Sequence, residues 1–149
     1  MVKAKPLPTN NSNADEISQA FYDALQSGDI EKVMACWADE DDIVCVYPDG
    51  PRILGAALIR ASFEGMLSHG SLRIYPQKIY RVESMGGSVH SVLECVEVVT
   101  QDQGAKHSYM NVTNVYHKTA QGWRIVARHA SLAAPDDLNE LMQAANMLH

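Results

Sequence analysis

Two side chains in this 149-residue chain combine a reactive type with a setting suited to proton transfer. Glu94 interrupts an alternating face formed by His90, Val92, Val96 and Val98. A carboxylate in apolar surroundings has its pKa raised by desolvation and can serve as a general base. The competing reading is a Glu at the surface or in a structural ion pair. His129 stands near the end of the last β-like segment, followed by Ala130 and Ser131. An imidazole beside a cavity can act as acid or base near neutral pH. A histidine hydrogen-bonded for structure at a strand end is the alternative. Plain alternation groups His129 with Trp123, Ile125 and Ala127, whereas a bulge near Arg128 would reassign it.

Other chemistries find less support. The six histidines, at positions 69, 90, 107, 117, 129 and 149, form neither HxH nor HExxH, so no metal site is expected. Four acidic residues in a row, Asp39 to Asp42, cannot all converge on one ion and read as a solvated loop. Cys36, Cys45 and Cys95 are widely spaced without CxxC and are expected to be reduced and buried. No GxGxxG, P-loop or GxSxG motif occurs, so no cofactor is expected.

The elements that must position these residues follow from periodicity. Residues 1–14 are rich in Pro, Asn and Ser and read as a flexible tail. Ile17, Ala20, Phe21, Ala24 and Leu25 make one helical stripe, with Asn13 or Asp15 as cap and Gly28 as terminator. Asp29 caps a second helix with stripe Ile30, Val33, Met34 and Trp37. Ile43 to Tyr47 is β-like, Pro48-Asp49-Gly50-Pro51 is a turn, and Arg52 to Leu54 returns. Leu58, Ile59, Ser62, Phe63, Met66 and Leu67 mark a third helix that stops near His69-Gly70. Four long segments follow, Leu72 to Glu83, Ser88 to Thr100, Lys106 to Thr119 and Trp123 to Ser131, separated by short glycine-bearing breaks that make neighbours antiparallel. Pro135 opens a last amphipathic helix over 136–149.

This order predicts an α+β domain over 15–135, with three N-terminal helices on one face of a strongly curved, mainly antiparallel sheet that encloses a pocket. Glu94 and Asn114 are the polar members of the two most apolar strand faces, as in a pocket wall with a few polar groups. Trp37, Tyr47, Phe63 and Tyr116 supply large apolar surface as core or as pocket lining. With 46% hydrophobic residues there is enough for a core, and Leu93, Cys95, Val99 and Tyr109 on the nominal outer face suit a homodimer. Twelve Lys and Arg against 18 Asp and Glu, net −6, disfavour nucleic-acid binding. No apolar run approaches the roughly 20 residues of a membrane span, and residues 1–13 lack a signal-like stretch, which points to the cytoplasm.

The runs Phe21-Tyr22-Asp23-Ala24-Leu25-Gln26-Ser27-Gly28-Asp29, Trp37-Ala38, Pro48-Asp49-Gly50-Pro51-Arg52, Thr113-Asn114-Val115-Tyr116, Gly122-Trp123-Arg124-Ile125-Val126 and His129-Ala130-Ser131 together resemble a SnoaL-like domain of the nuclear transport factor 2-like superfamily. The resemblance implies a cone-shaped, cystatin-like fold shared by ketosteroid isomerases, dehydratases, polyketide cyclases and non-catalytic association domains, and is nearest to small bacterial members of unassigned activity. It implies a largely apolar small molecule in the cone and, for an enzyme, cofactor-free isomerase, cyclase or dehydratase chemistry. Glu94 or His129 would then be the base, with Tyr47, Tyr22, Tyr116 or Asn114 polarising a carbonyl. The isomerase carboxylates do not match residue by residue. Asn114 falls where calcium/calmodulin-dependent kinase association domains present a pocket arginine, with their other arginines at Glu94 and Ala130. An anion site of that kind is thereby replaced, and a neutral or cationic ligand is expected. The alternative function is an oligomerisation module.

Overall fold

A computed structural model describes residues 13–68 and 72–139. Helix α1 covers Ala14–Ser27, its start capped by the Asn13 side chain accepting from Glu16 N at 3.1 Å, its end closed by Gly28 at φ 71°. That left-handed backbone is open to glycine without a Cβ penalty. Asp29 accepts from Lys32 N and caps α2, Ile30–Ala35, so one residue separates the two helices. Trp37, read as the end of the α2 stripe, lies beyond the helix and bridges to Ile125 instead. A hairpin of β1 (Val44–Val46) and β2 (Arg52–Leu54) precedes α3, Ala56–Leu67.

Four long strands follow: β3 Leu72–Glu83, β4 Gly87–Thr100, β5 Gly104–Thr119 and β6 Gly122–Leu132. They form an antiparallel meander within a six-stranded sheet of order β2-β1-β6-β5-β4-β3. The β1–β6 pairing is parallel, through Val44↔Ala127 and Val46↔His129. Neither strand's pattern announces that partnership, because β1 is only three residues long. Residues 135–139 are helical, and Asn111 Nδ2 donates to Asp137 Oδ2 at 2.8 Å, tying that turn to the sheet. Most of the tail expected over 1–14, the stop near His69-Gly70 and the last ten residues of the helix expected over 136–149 lie outside the described residues.

The helices bury their stripes on the concave face. Ile17, Phe21, Tyr22 and Leu25 of α1, Ile59 and Phe63 of α3, and Val92, Val112, Tyr116 and Ile125 of the sheet form one core. Burying each large apolar side chain contributes about 1.5–3 kcal/mol. The α+β class and the strongly curved sheet with helices on one face agree with the sequence expectation.

Candidate functional site

At the centre of the cone four polar side chains converge from three strands and a helix. Glu94 on β4, Asn114 on β5 and Arg128 on β6 meet Tyr22 on α1, none more than 5% exposed. Arg128 donates to Glu94 in a two-pronged contact, Nη1 to Oε2 at 2.7 Å and Nη2 to Oε1 at 2.8 Å. The Tyr22 hydroxyl donates to Glu94 Oε2 at 2.5 Å and accepts from Asn114 Nδ2 at 3.0 Å. Arg128 Nη1 also reaches Asn114 Oδ1 at 3.2 Å, which closes the network. The Arg128 Cζ lies 5.3 Å from the Phe21 ring centroid, a cation–π contact on its remaining face.

These contacts set the charge distribution. Burial alone would lower the Arg128 pKa, but the Glu94 carboxylate against it holds it above its usual value. Burial pushes the Tyr22 phenol well up, and the Glu94 charge adds to that shift. Both oxygens of Glu94 are thus occupied by donors in a dry interior, where such charge-assisted bonds are strong. The expectation that Glu94 faces the cone is met. Its setting, however, is a guanidinium and a phenol rather than an apolar wall: three of its roughly four lone-pair sites are taken by Arg128 and Tyr22.

The remaining candidates separate. Phe63 sits among three rings, 6.1 Å from Phe21, 6.2 Å from Trp37 and 6.2 Å from Tyr47. These aromatic side chains pack edge-on or tilted against one another in the core. Tyr116 is fully buried, its ring 4.6 Å from that of His90, and burial pushes its phenol up to about 12. His129 is exposed on the outer face. The cause is a bulge: Val115 pairs with Ala127 while Tyr116 pairs with Ile125, so Val126 is extra on β6. The slip turns Arg128 and Ala130 inward with Ile125 and sends His129 outward. The role of base in the cone, expected for His129, therefore falls away. Arg128 was missed because plain alternation put it on the solvent side.

Recesses open at the surface of the described residues. One of about 730 Å³ lies between α2, α3 and the β5–β6 turn, bordered by Glu31, Trp37, Arg60 and Arg124. Another, about 310 Å³, is bordered by Tyr47, Asp49, His129, Ser131 and neighbours. Glu94, Phe63, Asn114 and Tyr116 border neither. Cys36, Cys45 and Cys95 are free and buried, and burial raises all three thiol pKa values, so they are poor nucleophiles.

The helix–hairpin–helix–meander order around a cone is matched by the SnoaL-like domain family over residues 15–135. The chain belongs to the SnoaL-like domain family. Among curated proteins none matches. Solved structures do. A protein from Thiobacillus denitrificans provisionally assigned as a calcium/calmodulin-dependent protein kinase type II association domain is 24% identical with a TM-score of 0.74, covering 87% of this chain and 100% of its own. A provisional dehydratase of the NTF2-like family from Streptomyces avermitilis is 19% identical, TM-score 0.69, covering 78% and 91%. The CaMKII hub of S. rosetta is 21% identical, TM-score 0.67, covering 85% and 99%. At these identities the likeness is one of fold, and it agrees with the cone-shaped, cystatin-like arrangement that the SnoaL-like resemblance implied. No described helix is long and apolar enough to cross a membrane.

Proposed function

We propose that this SnoaL-like chain is an association module that pairs with a second copy through the outer face of its sheet. One observation carries the reading. A single cross-strand row on that face, Leu54, Val44, Ala127, Val115, Val89 and Val82, is apolar from one sheet edge to the other. Residues in one row lie on one face, and five strand spacings make this stripe about 24 Å long. Its ends are open to solvent, Leu54 at 50% and Val82 at 60% exposure. A two-fold axis would set this row against its own copy, as the apolar centre of the ~800 Å² per partner that a stable dimer buries. Of the outer-face residues expected to dimerise, Leu93 and Cys95 are already buried in the single chain, whereas Val99 stands 45% exposed and Tyr109 half-buried.

The engagement of Glu94 by Arg128 and Tyr22 supports a structural rather than catalytic role for the cone. The decisive experiment is light scattering on the purified chain. A dimer that becomes monomeric in Val82→Glu with Val115→Glu, with unchanged circular dichroism, supports the reading; a wild-type monomer at 100 μM, on the order of typical assay concentrations for weak pairs, overturns it.

A second reading is a small-molecule site using acid/base chemistry without a cofactor. It draws on the 310 Å³ recess, a volume within the range of small-ligand pockets, where Tyr47 and His129 are neighbours. Thermal-shift screening with carbonyl-bearing cyclic metabolites tests it, because a true ligand raises the melting temperature of the wild type and not of His129→Ala.

A further inference from the structure

At the end of the cone where α1 begins, Asp15, Glu83 and His90 bring one donor atom each within 4.8 Å of one another. They come from the first turn of α1, the last residue of β3 and the fourth residue of β4. His90 is fully buried, yet neither of its ring nitrogens has a hydrogen-bond partner. Its Nε2 points toward Asp15, with Oδ1 at 3.8 Å. A buried polar group without a partner costs about 1–3 kcal/mol, so an imidazole left in this state next to two exposed carboxylates is unsatisfied by the protein alone.

We propose that Asp15, Glu83 and His90 bind one first-row divalent transition ion, with Zn²⁺ as the representative. The donor set is one imidazole nitrogen and two carboxylate oxygens, which suits Zn²⁺ and its neighbours, whereas Mg²⁺ and Ca²⁺ prefer oxygen alone. Ligand atoms around tetrahedral zinc stand about 3.4 Å apart, given bonds near 2.0–2.1 Å. The present spread therefore closes by rotation of the two exposed carboxylates, while His90 is held by its tilted contact with the Tyr116 ring. Metal on Nε2 would satisfy that nitrogen and leave Nδ1 as the protonated one. Three protein donors leave a fourth position for water.

Arg81 is the built-in competitor. It pairs with His90 across the β3–β4 ladder, and its Nε donates to Asp15 Oδ1 at 2.5 Å. An incoming ion must displace this guanidinium, which makes Arg81→Met a gain-of-affinity variant. Asp15 lies 68 residues before Glu83, which is itself seven residues from His90 across a hairpin, a spacing that matches no standard metal motif.

The test uses the full chain stripped with a chelator. Co²⁺ is titrated while its visible absorption is followed, and Zn²⁺ then displaces it. The expected result is one equivalent bound, weakened at least about tenfold in Asp15→Asn and in Glu83→Gln, strengthened in Arg81→Met and undisturbed by excess Mg²⁺. His90→Gln should lose the band. Should that buried change prevent folding, the two exposed carboxylate variants still decide. Binding that is unaltered in Asp15→Asn and Glu83→Gln means an adventitious ion on surface histidines and overturns the proposal, as does no uptake at millimolar Co²⁺ and Zn²⁺.

Discussion

Removing the charge of Glu94 while keeping its shape asks whether the buried network is a structural clamp. In Glu94→Gln an amide NH₂ replaces one of two oxygens that accept from Arg128 at 2.7 and 2.8 Å and from Tyr22 at 2.5 Å. Arg128, 5% exposed, keeps its charge and loses its counter-ion. Breaking one side of a buried pair costs about 3–5 kcal/mol, because the surviving charge is left desolvated. That is a large share of a typical total of about 5–15 kcal/mol. Replacing both members, Glu94→Leu with Arg128→Met, removes the orphan charge and should recover most of the loss. What remains is the Tyr22 hydroxyl without its acceptor, about 1–3 kcal/mol, which Tyr22→Phe in the same background should reduce. Urea unfolding followed by tryptophan fluorescence measures each step, and the double-mutant cycle isolates the pair. A cost below 1 kcal/mol for Glu94→Gln, or additivity of the two single changes within about 0.5 kcal/mol, would refute the clamp.

Three further outcomes are expected. Phe63→Ala should cost about 3–5 kcal/mol in urea unfolding, since the ring is 1% exposed among three other rings; a loss under about 1.5 kcal/mol would mean the cone is not packed as described. The pKa of His90 is lowered mainly by burial, with Asp15 opposing, Arg81 adding and Glu83 opposing. The unfolded chain then takes up the proton first, so stability is full above about pH 6.5 and falls as pH drops toward the folded-state value, by at most about 1.4 kcal/mol per pH unit. In metal-free buffer, His90→Gln should flatten that slope between pH 7 and 5, and an unchanged slope would assign it elsewhere. Gly28→Ala should destabilise by about 1–2 kcal/mol through its φ of 71° alone, because an added Cβ meets nothing within 4 Å; thermal melting that matches wild type would contradict this.

Much of the architecture is legible in residue order because it rests on local rules. The α1 stripe, the Gly28 stop and the boundaries Leu72–Glu83 and Arg52–Leu54 all follow from side-chain period and backbone preference, while of the two cap candidates, Asn13 and Asp15, the structure selects Asn13. The inward facing of Glu94 and Asn114 also follows from alternation, since β4 and β5 pair without interruption from Gly87↔His117 to Thr100↔Gly104. Alternation fails on β6, where one extra residue at Val126 exchanges the faces of Arg128 and His129. A bulge is set by how two strands must twist to stay paired, so a single strand's composition cannot place it. The parallel seating of β1 on β6, which completes the apolar outer row, is likewise a long-range pairing without local signature. Residue types and spacing therefore determined the helices, the strands and the polar pair Glu94 and Asn114. Only the tertiary structure decided that Arg128 meets that pair, that Asp15 and Glu83 meet His90, and that Phe21, Trp37 and Tyr47 gather around Phe63, because each depends on register and packing between elements.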